Sequence, residues 1–176
     1  MDHPNTLIEA VLERYRSHLG EDYDKYRNHV YRVYSLCLLF DSDAVNRDKY
    51  ALAATFHDLG IWTDRTFDYL EPSIGQAGAY LRETGRADWI DEISQMIFWH
   101  HKLSPYNAGN KTTVDNFRKA DWVDLTLGSL AFGLQRNAIR AIRQRWPNAR
   151  FHVFLLKKSV QNFFKHPLNP LPVFKR

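Results

Sequence analysis

Apolar residues recur along this chain at intervals of three and four, the spacing that gathers one face of an α-helix. From Thr6, the set Leu7, Ala10, Val11 and Tyr15 follows that period, with Thr6 placed as N-cap and Glu9 three residues on to close a capping box. Gly20 marks its end. A second helix opens at Asp22 or Asp24 and runs through Phe40 on a stripe of Tyr26, His29 or Val30, Val33, Leu36 or Cys37, and Phe40. A shorter third helix spans about 47–59 and stops at Gly60, and residues 61–72 read as an irregular aromatic loop. The next helix covers 73–83, with Ile74, Ala77, Gly78 and Leu81 inward, and another starts at Asp88 and passes through Ile90, Ile93 and Ile97 to His101. After a polar loop over 104–111, Thr113 is placed as the cap of a helix with Phe117, Asp121 and Leu125 on one side. Two basic helices follow, at about 135–145 and 148–165, divided by Pro147. In the tail over 166–172 each proline removes a donor and restricts the residue before it, which excludes a helix. No segment alternates with the period of two that a half-buried strand requires. The expectation is an all-α fold, a compact multi-helix bundle in one domain over residues 1–176.

Composition narrows this picture. A content of 44% hydrophobic and 14% aromatic residues excludes a disordered chain, and 176 residues suffice to bury a sizeable core without a staple. The single cysteine, Cys37, forms no internal disulfide and reads as a small apolar core residue in a reduced compartment. The longest apolar run, 33–40, is far short of the roughly 20 residues of a membrane helix. The start Met1-Asp2-His3-Pro4 lacks the basic and apolar regions of a secretion signal, so the expected location is cytoplasmic. The net charge of +4 conceals a division: the last 52 residues carry ten Lys or Arg and no carboxylate, while the first 124 carry fourteen basic and twenty acidic groups. That polarity turns a basic face toward anions, namely a small phosphate-bearing molecule, a nucleic acid or a membrane surface, or else pairs the basic helices with the acidic body. A small anionic substrate is the expected partner, with nucleic acid less fitting and no membrane.

The informative anomalies are ionisable residues on apolar stripes. His29 lies between Tyr26 and Val33. His57 and Asp58 end the third helix, where side chains diverging by about 100° still converge on one ion near a helix terminus. Asp121 continues the stripe of Val114 and Phe117, and a buried carboxylate needs a cation, either a metal or Arg118 three residues earlier. Two histidines and two carboxylates from three helices make a mixed nitrogen and oxygen set suited to a first-row divalent ion such as Mn, Fe, Co, Ni or Zn.

The order His29, His57-Asp58 followed by Leu59-Gly60, and Asp121 within Ala120-Asp121-Trp122-Val123-Asp124 resembles the H...HD...D signature of the HD-domain superfamily of metal-dependent phosphohydrolases. The contexts Asn28-His29-Val30-Tyr31-Arg32-Val33 and Phe56-His57-Asp58-Leu59-Gly60 are similar to that family's first-histidine helix and its eponymous motif. The resemblance covers about residues 23–128 and implies an all-helical domain in which His29, His57, Asp58 and Asp121 hold one divalent ion. Some members hold two metals through further histidines. Here His100-His101 resembles the later of those positions, whereas 71–75 has no histidine for the earlier, which favours a single metal.

The expected reaction is hydrolysis of a small phosphate ester, a nucleotide as first guess, by metal-activated water. Lys102, Arg118 or Arg32 is expected to offset phosphoryl charge, His100 or His101 to protonate the leaving group, and Asp64 to orient the water from farther out. Trp62, Phe67, Tyr69, Trp99 and Tyr106 either stack on a base or belong to the core. A hydratase similar to cyanamide hydratase and a non-catalytic nucleotide-sensing or nucleic-acid-binding module are the alternatives. The ligand set falls within 23–128, which places the basic C-terminal segment outside the chemistry.

Overall fold

A helix that is apolar all round belongs at the centre of a fold, and α4 (Arg47–Phe56) is that helix here, with every residue from Tyr50 to Phe56 buried. The structure, a computed structural model, describes residues 4–66 and 68–165, all helix and connection with no strand among them. Around α4 lie α1 (Thr6–Arg14), α3 (Tyr23–Phe40), α6 (Leu70–Glu83) and α7 (Ile90–Trp99), and α8 (Lys111–Leu125) packs along α3 and α7. The short α2 (Arg16–Leu19) and α5 (Gly60–Thr63) are single turns that redirect the chain, and α9 (Arg136–Arg145) and α10 (Phe151–Lys165) lie against α3. Ile8 and Leu12 of α1, Tyr26, Val33 and Cys37 of α3, and Phe117 of α8 share the core, so the thiol is buried as expected. No helix among the described residues is long and apolar enough to cross a membrane.

The helix ends differ from expectation where a neighbouring side chain offers a better bond. Asn5, not Thr6, caps α1, its Oδ1 accepting from the Leu7 and Ile8 amides. Glu9 therefore does not close a capping box but pairs with Arg27 and accepts from Tyr31. Helix α8 starts at Lys111, before Thr113, because the Thr113 hydroxyl donates instead to Glu92 of α7. Helix α6 starts at Leu70 with Pro72 inside its first turn, where the missing N–H has no helical partner to lose. The proline-rich stretch 166–172 lies outside the described residues.

Gly60 does not stop a helix; it begins α5. It is needed for a close approach, since a Cβ there would lie 2.6 Å from the Tyr69 carbonyl oxygen and 3.0 Å from Pro72 Cβ. Its amide donates to Ser73 Oγ at 3.0 Å, tying the turn after α4 to the start of α6. Backbone contacts cannot yield as a flexible side chain does. Gly60→Ala is therefore expected to destabilise by about 1–3 kcal/mol, the usual cost of forcing atoms into a filled site, and a urea midpoint equal to wild type would contradict it.

Candidate metal centre

Four side-chain pairs bring the anomalous residues together. On α3, His29 and Arg32 are three residues apart and share a face, as Asp121 and Asp124 do on α8. The two helices pack side by side, so His29 meets both aspartates. His57 and Asp58 lie beyond the end of α4, in a turn where bonds from Leu59 to Phe56 and from Ile61 to Asp58 tighten the chain to an i to i−3 pattern. This turn, rather than a continued helix to Leu59, lets adjacent side chains face one point. His100 and His101 follow the end of α7 in the same way.

His29, His57, Asp58, His100, Asp121 and Asp124 are all buried. His29 Nε2 and His57 Nε2 are 2.9 Å apart. Asp58 Oδ2 lies 3.6 Å from the first nitrogen and 3.4 Å from the second, and Asp121 Oδ1 lies 3.8 and 3.7 Å from them. On the other side, Asp58 Oδ1 is 3.5 Å from His100 Nε2, and Asp121 Oδ2 is 4.0 Å from His101 Nδ1. Two sets of three ligand atoms, each within 4.8 Å of one another, result: His29, His57 and Asp58, and Asp58, His100 and His101.

Hydrogen bonds fix which ring nitrogen faces inward. His57 Nδ1–H donates to the Ala54 carbonyl at 2.8 Å, and His100 Nδ1–H donates to the Ile97 carbonyl at 2.5 Å. Their Nε2 lone pairs therefore point at carboxylates, acceptor against acceptor. Asp58 Oδ1 and His100 Nε2 are buried with no hydrogen-bond partner. An arrangement of converging acceptors without donors is one that a cation completes. Imidazole and carboxylate ligands suit a first-row divalent ion, and two nitrogens each about 2.0–2.1 Å from one metal can sit at the 2.9 Å separation of the His29 and His57 atoms. The donor set and its orphaned atoms fit a metal.

The electrostatics express the same demand for positive charge. Burial opposes a proton on His29, but the hydrogen bond to Asp124 and the nearby carboxylate charges of Asp124 and Asp58 outweigh it and raise its pKa to about 9. His100 is likewise raised, burial being overcome by Asp58 and Asp121. His57 is lowered to about 3 by burial and the neighbouring histidines, against the pull of Asp58. Burial raises Asp121 to about 6 although His100 and His29 draw it down. In the metal-free protein, protons on His29 and His100 answer a charge requirement that a divalent ion would meet in their place.

Matched against family models, curated proteins and solved structures, the chain returns no match. The residues that fit a metal are thus known by their chemistry: a cluster of buried His29, His57, Asp58 and His100 with partly buried His101 that could bind an ion, and Asp121 beside it.

The remaining candidates are placed elsewhere. Arg118 does not meet Asp121; its guanidinium bonds Asp115 at 2.8 Å and lies near the Lys102 and Leu103 carbonyls. Lys102 sets its ammonium over the rings of Phe98 and Trp99. Arg32 is buried on Asp124, with bonds of 2.6 and 2.9 Å. All three expected cations therefore have partners away from the inward lone pairs. Asp64 is exposed and accepts from Thr63 and Gln76. Trp62 stacks on Phe154 and donates to Asp22, Trp99 meets Tyr106 edge to face, and Phe67 lies outside the described residues.

From the sequence, Asp124 carries no assigned role, and Tyr69 only that of a ring that stacks on a base or belongs to the core. Asp124 accepts from His29 Nδ1 at 2.8 Å and from Arg32, holding the imidazole from behind. Its signal was available, as the residue one turn past Asp121 and on the same apolar face. Tyr69, buried, places its hydroxyl 2.6 Å from His101 Nε2. The basic C-terminal segment also reaches the cluster. Phe151 stacks on His29 with centroids 4.1 Å apart, and His152 Nε2–H donates to the Asp124 carbonyl at 3.0 Å. Residues after 128 thus form the cluster's rear wall, which the ligand pattern alone had left outside the chemistry.

Proposed function

We propose that this chain is a metal-dependent phosphohydrolase of the HD superfamily acting on a small phosphate ester, with a nucleotide as the first substrate class to test. The observation that carries the reading is the buried convergence of unpartnered acceptors, Asp58 Oδ1 and His100 Nε2, beside the inward nitrogens of His29 and His57. His29, His57, Asp58 and Asp121 would hold the ion. When bound, a divalent ion supplies Lewis acidity, lowering the pKa of water and polarising a phosphoryl oxygen. Asp124 and Arg32 keep His29 aimed, and the Ala54 carbonyl does so for His57. His101, whose side chain is 12% exposed, is the most open histidine of the group. Burial and the charge of neighbouring His100 hold its pKa well below the usual imidazole value, so it does not store the proton that the leaving oxygen needs but relays it with the Tyr69 hydroxyl 2.6 Å away. Arg32, Lys102 and Arg118 serve to position structure in this reading.

One observation favours a two-metal version: Asp58 belongs to both ligand sets, one with His29 and His57 and one with His100 and His101. Elemental analysis distinguishes one ion per chain from two.

The test of function is a panel of nucleoside mono-, di- and triphosphates with Mn, Co, Ni, Zn and Mg, read as phosphate and pyrophosphate release. Hydrolysis with at least one metal is expected, and a chelator abolishes it. Silence across the panel in a metal-loaded protein, together with hydration of cyanamide, would replace the phosphohydrolase by the hydratase.

A further inference from the structure

A second feature of the molecule lies outside the histidine cluster and touches it only through Asp124. Between the end of α8 and the face of α9 is a cavity of about 190 Å³ lined by Leu127, Gly128, Arg136, Ile139, Arg140 and Arg143. Its arginines are spaced four and three residues apart and so lie on one side of α9. Like charges at those intervals repel. Arg136 also stands in the first turn, where the helix dipole disfavours a cation, and no acidic residue accompanies it there. Arg136 and Arg140 are exposed, and among the described residues neither has a carboxylate within ion-pair distance. Arg143 is half-buried: its Nη1 makes no hydrogen bond, and the nearest carboxylate oxygen, Asp124 Oδ1, is 3.9 Å away.

The floor is shaped to keep this concavity. Gly128 has φ +86°, and a Cβ there would lie 3.0 Å from Ile139 Cγ2, so the end of α8 comes as near to α9 as a glycine permits. Leu127 beside it holds a left-handed φ of 57°, a conformation that costs a non-glycine residue free energy. Two exposed guanidinium groups without a carboxylate, and a third whose only ion pair is the long one to Asp124, surround a small depression with an apolar floor and have one common chemical complement, a compact oxyanion that accepts several forked hydrogen bonds.

We infer that this cavity is a binding site for a small phosphate-bearing anion, separate from the metal cluster. Its volume is below the 300–1,000 Å³ of a pocket that encloses a drug-sized ligand, which suits capture of a phosphate or diphosphate group with the rest of the molecule outside. A nucleic-acid backbone, by contrast, requires a row of cations along a surface rather than three around one hollow.

The experiment is calorimetric titration of the full chain with pyrophosphate at constant low ionic strength, with a chelator present so that no metal contributes. Saturable binding of one pyrophosphate per chain is expected. Arg136→Ala/Arg140→Ala, which alters two exposed side chains, should weaken it at least tenfold while the thermal midpoint stays at the wild-type value. Arg150→Ala/Lys157→Ala removes the same charge outside the cavity and should bind as wild type does. Absence of saturable binding would overturn the inference, as would equal losses in the two double variants. A short DNA duplex that binds through Arg136 and Arg140 and is not displaced by pyrophosphate would overturn it in favour of a nucleic-acid surface.

Discussion

Asp58→Ala is expected to leave the protein without a tightly held divalent ion and without metal-dependent hydrolysis. The loss should exceed the roughly 10–100-fold that follows removal of a residue that merely orients a ligand. The reason is geometric. Asp58 turns one oxygen toward His29 and His57, at 3.6 and 3.4 Å, and the other toward His100 at 3.5 Å, so one truncation opens both ligand sets. Elemental analysis of wild type and variant purified side by side checks it, with circular dichroism to establish that the variant is folded. Equal metal content in both would refute the coordination. Loss of two ions from wild type to variant would favour the version in which Asp58 joins two sites.

Asp58 is legible in the sequence because of where it falls: His29, His57, Asp58 and Asp121 are ionisable groups set into apolar stripes, and such a group needs a partner once buried. The helical period likewise placed α3, α9 and most of α7 and α8. What the period does not contain is the direction in which chain ends turn. The tightening after Phe56 that lets His57 and Asp58 converge depends on Gly60 meeting the Tyr69 carbonyl, a contact between segments that no local pattern records. Tyr69 stood out in the sequence only as a ring that stacks on a base or belongs to the core, because nothing local to it records that its hydroxyl meets His101. Arg118 was misread for a related reason: two carboxylates, Asp115 and Asp121, are each three residues from it, and helix spacing cannot choose between them. The rear wall formed by Phe151 and His152 was hidden in a segment whose conspicuous property is charge, not packing.

Asp124 carries the second large effect, on stability as well as on metal affinity. It is buried beside a buried Arg32, which it binds through both oxygens, and beside His29. Asp124→Ala would leave the Arg32 charge in the interior with only the Trp146 and Pro147 carbonyls, and breaking a buried pair by removing one partner costs about 3–5 kcal/mol. Asp124→Asn keeps the shape and should cost less, but it removes the charge that sustains the His29 proton. Because the folded pKa of His29 is raised from 6.5 to about 9, its contribution to the metal-free protein is complete below about pH 6.5 and is lost as the pH climbs through about 9. His100, also raised, acts in the same direction. Asp124 is itself held far below the ordinary carboxylate range: burial raises it, but the His29 bond and Arg32 prevail, so its own contribution fails only in acid. Urea midpoints in the presence of chelator, measured at pH 6.5 and pH 9, should therefore fall in wild type and fall less in Asp124→Asn. The same protons oppose metal loading, so wild-type affinity for the ion should rise across that interval with release of protons to the buffer. An alkaline decline of equal size in wild type and Asp124→Asn would mean that Asp124 does not govern His29, and the orienting role assigned to it would fall.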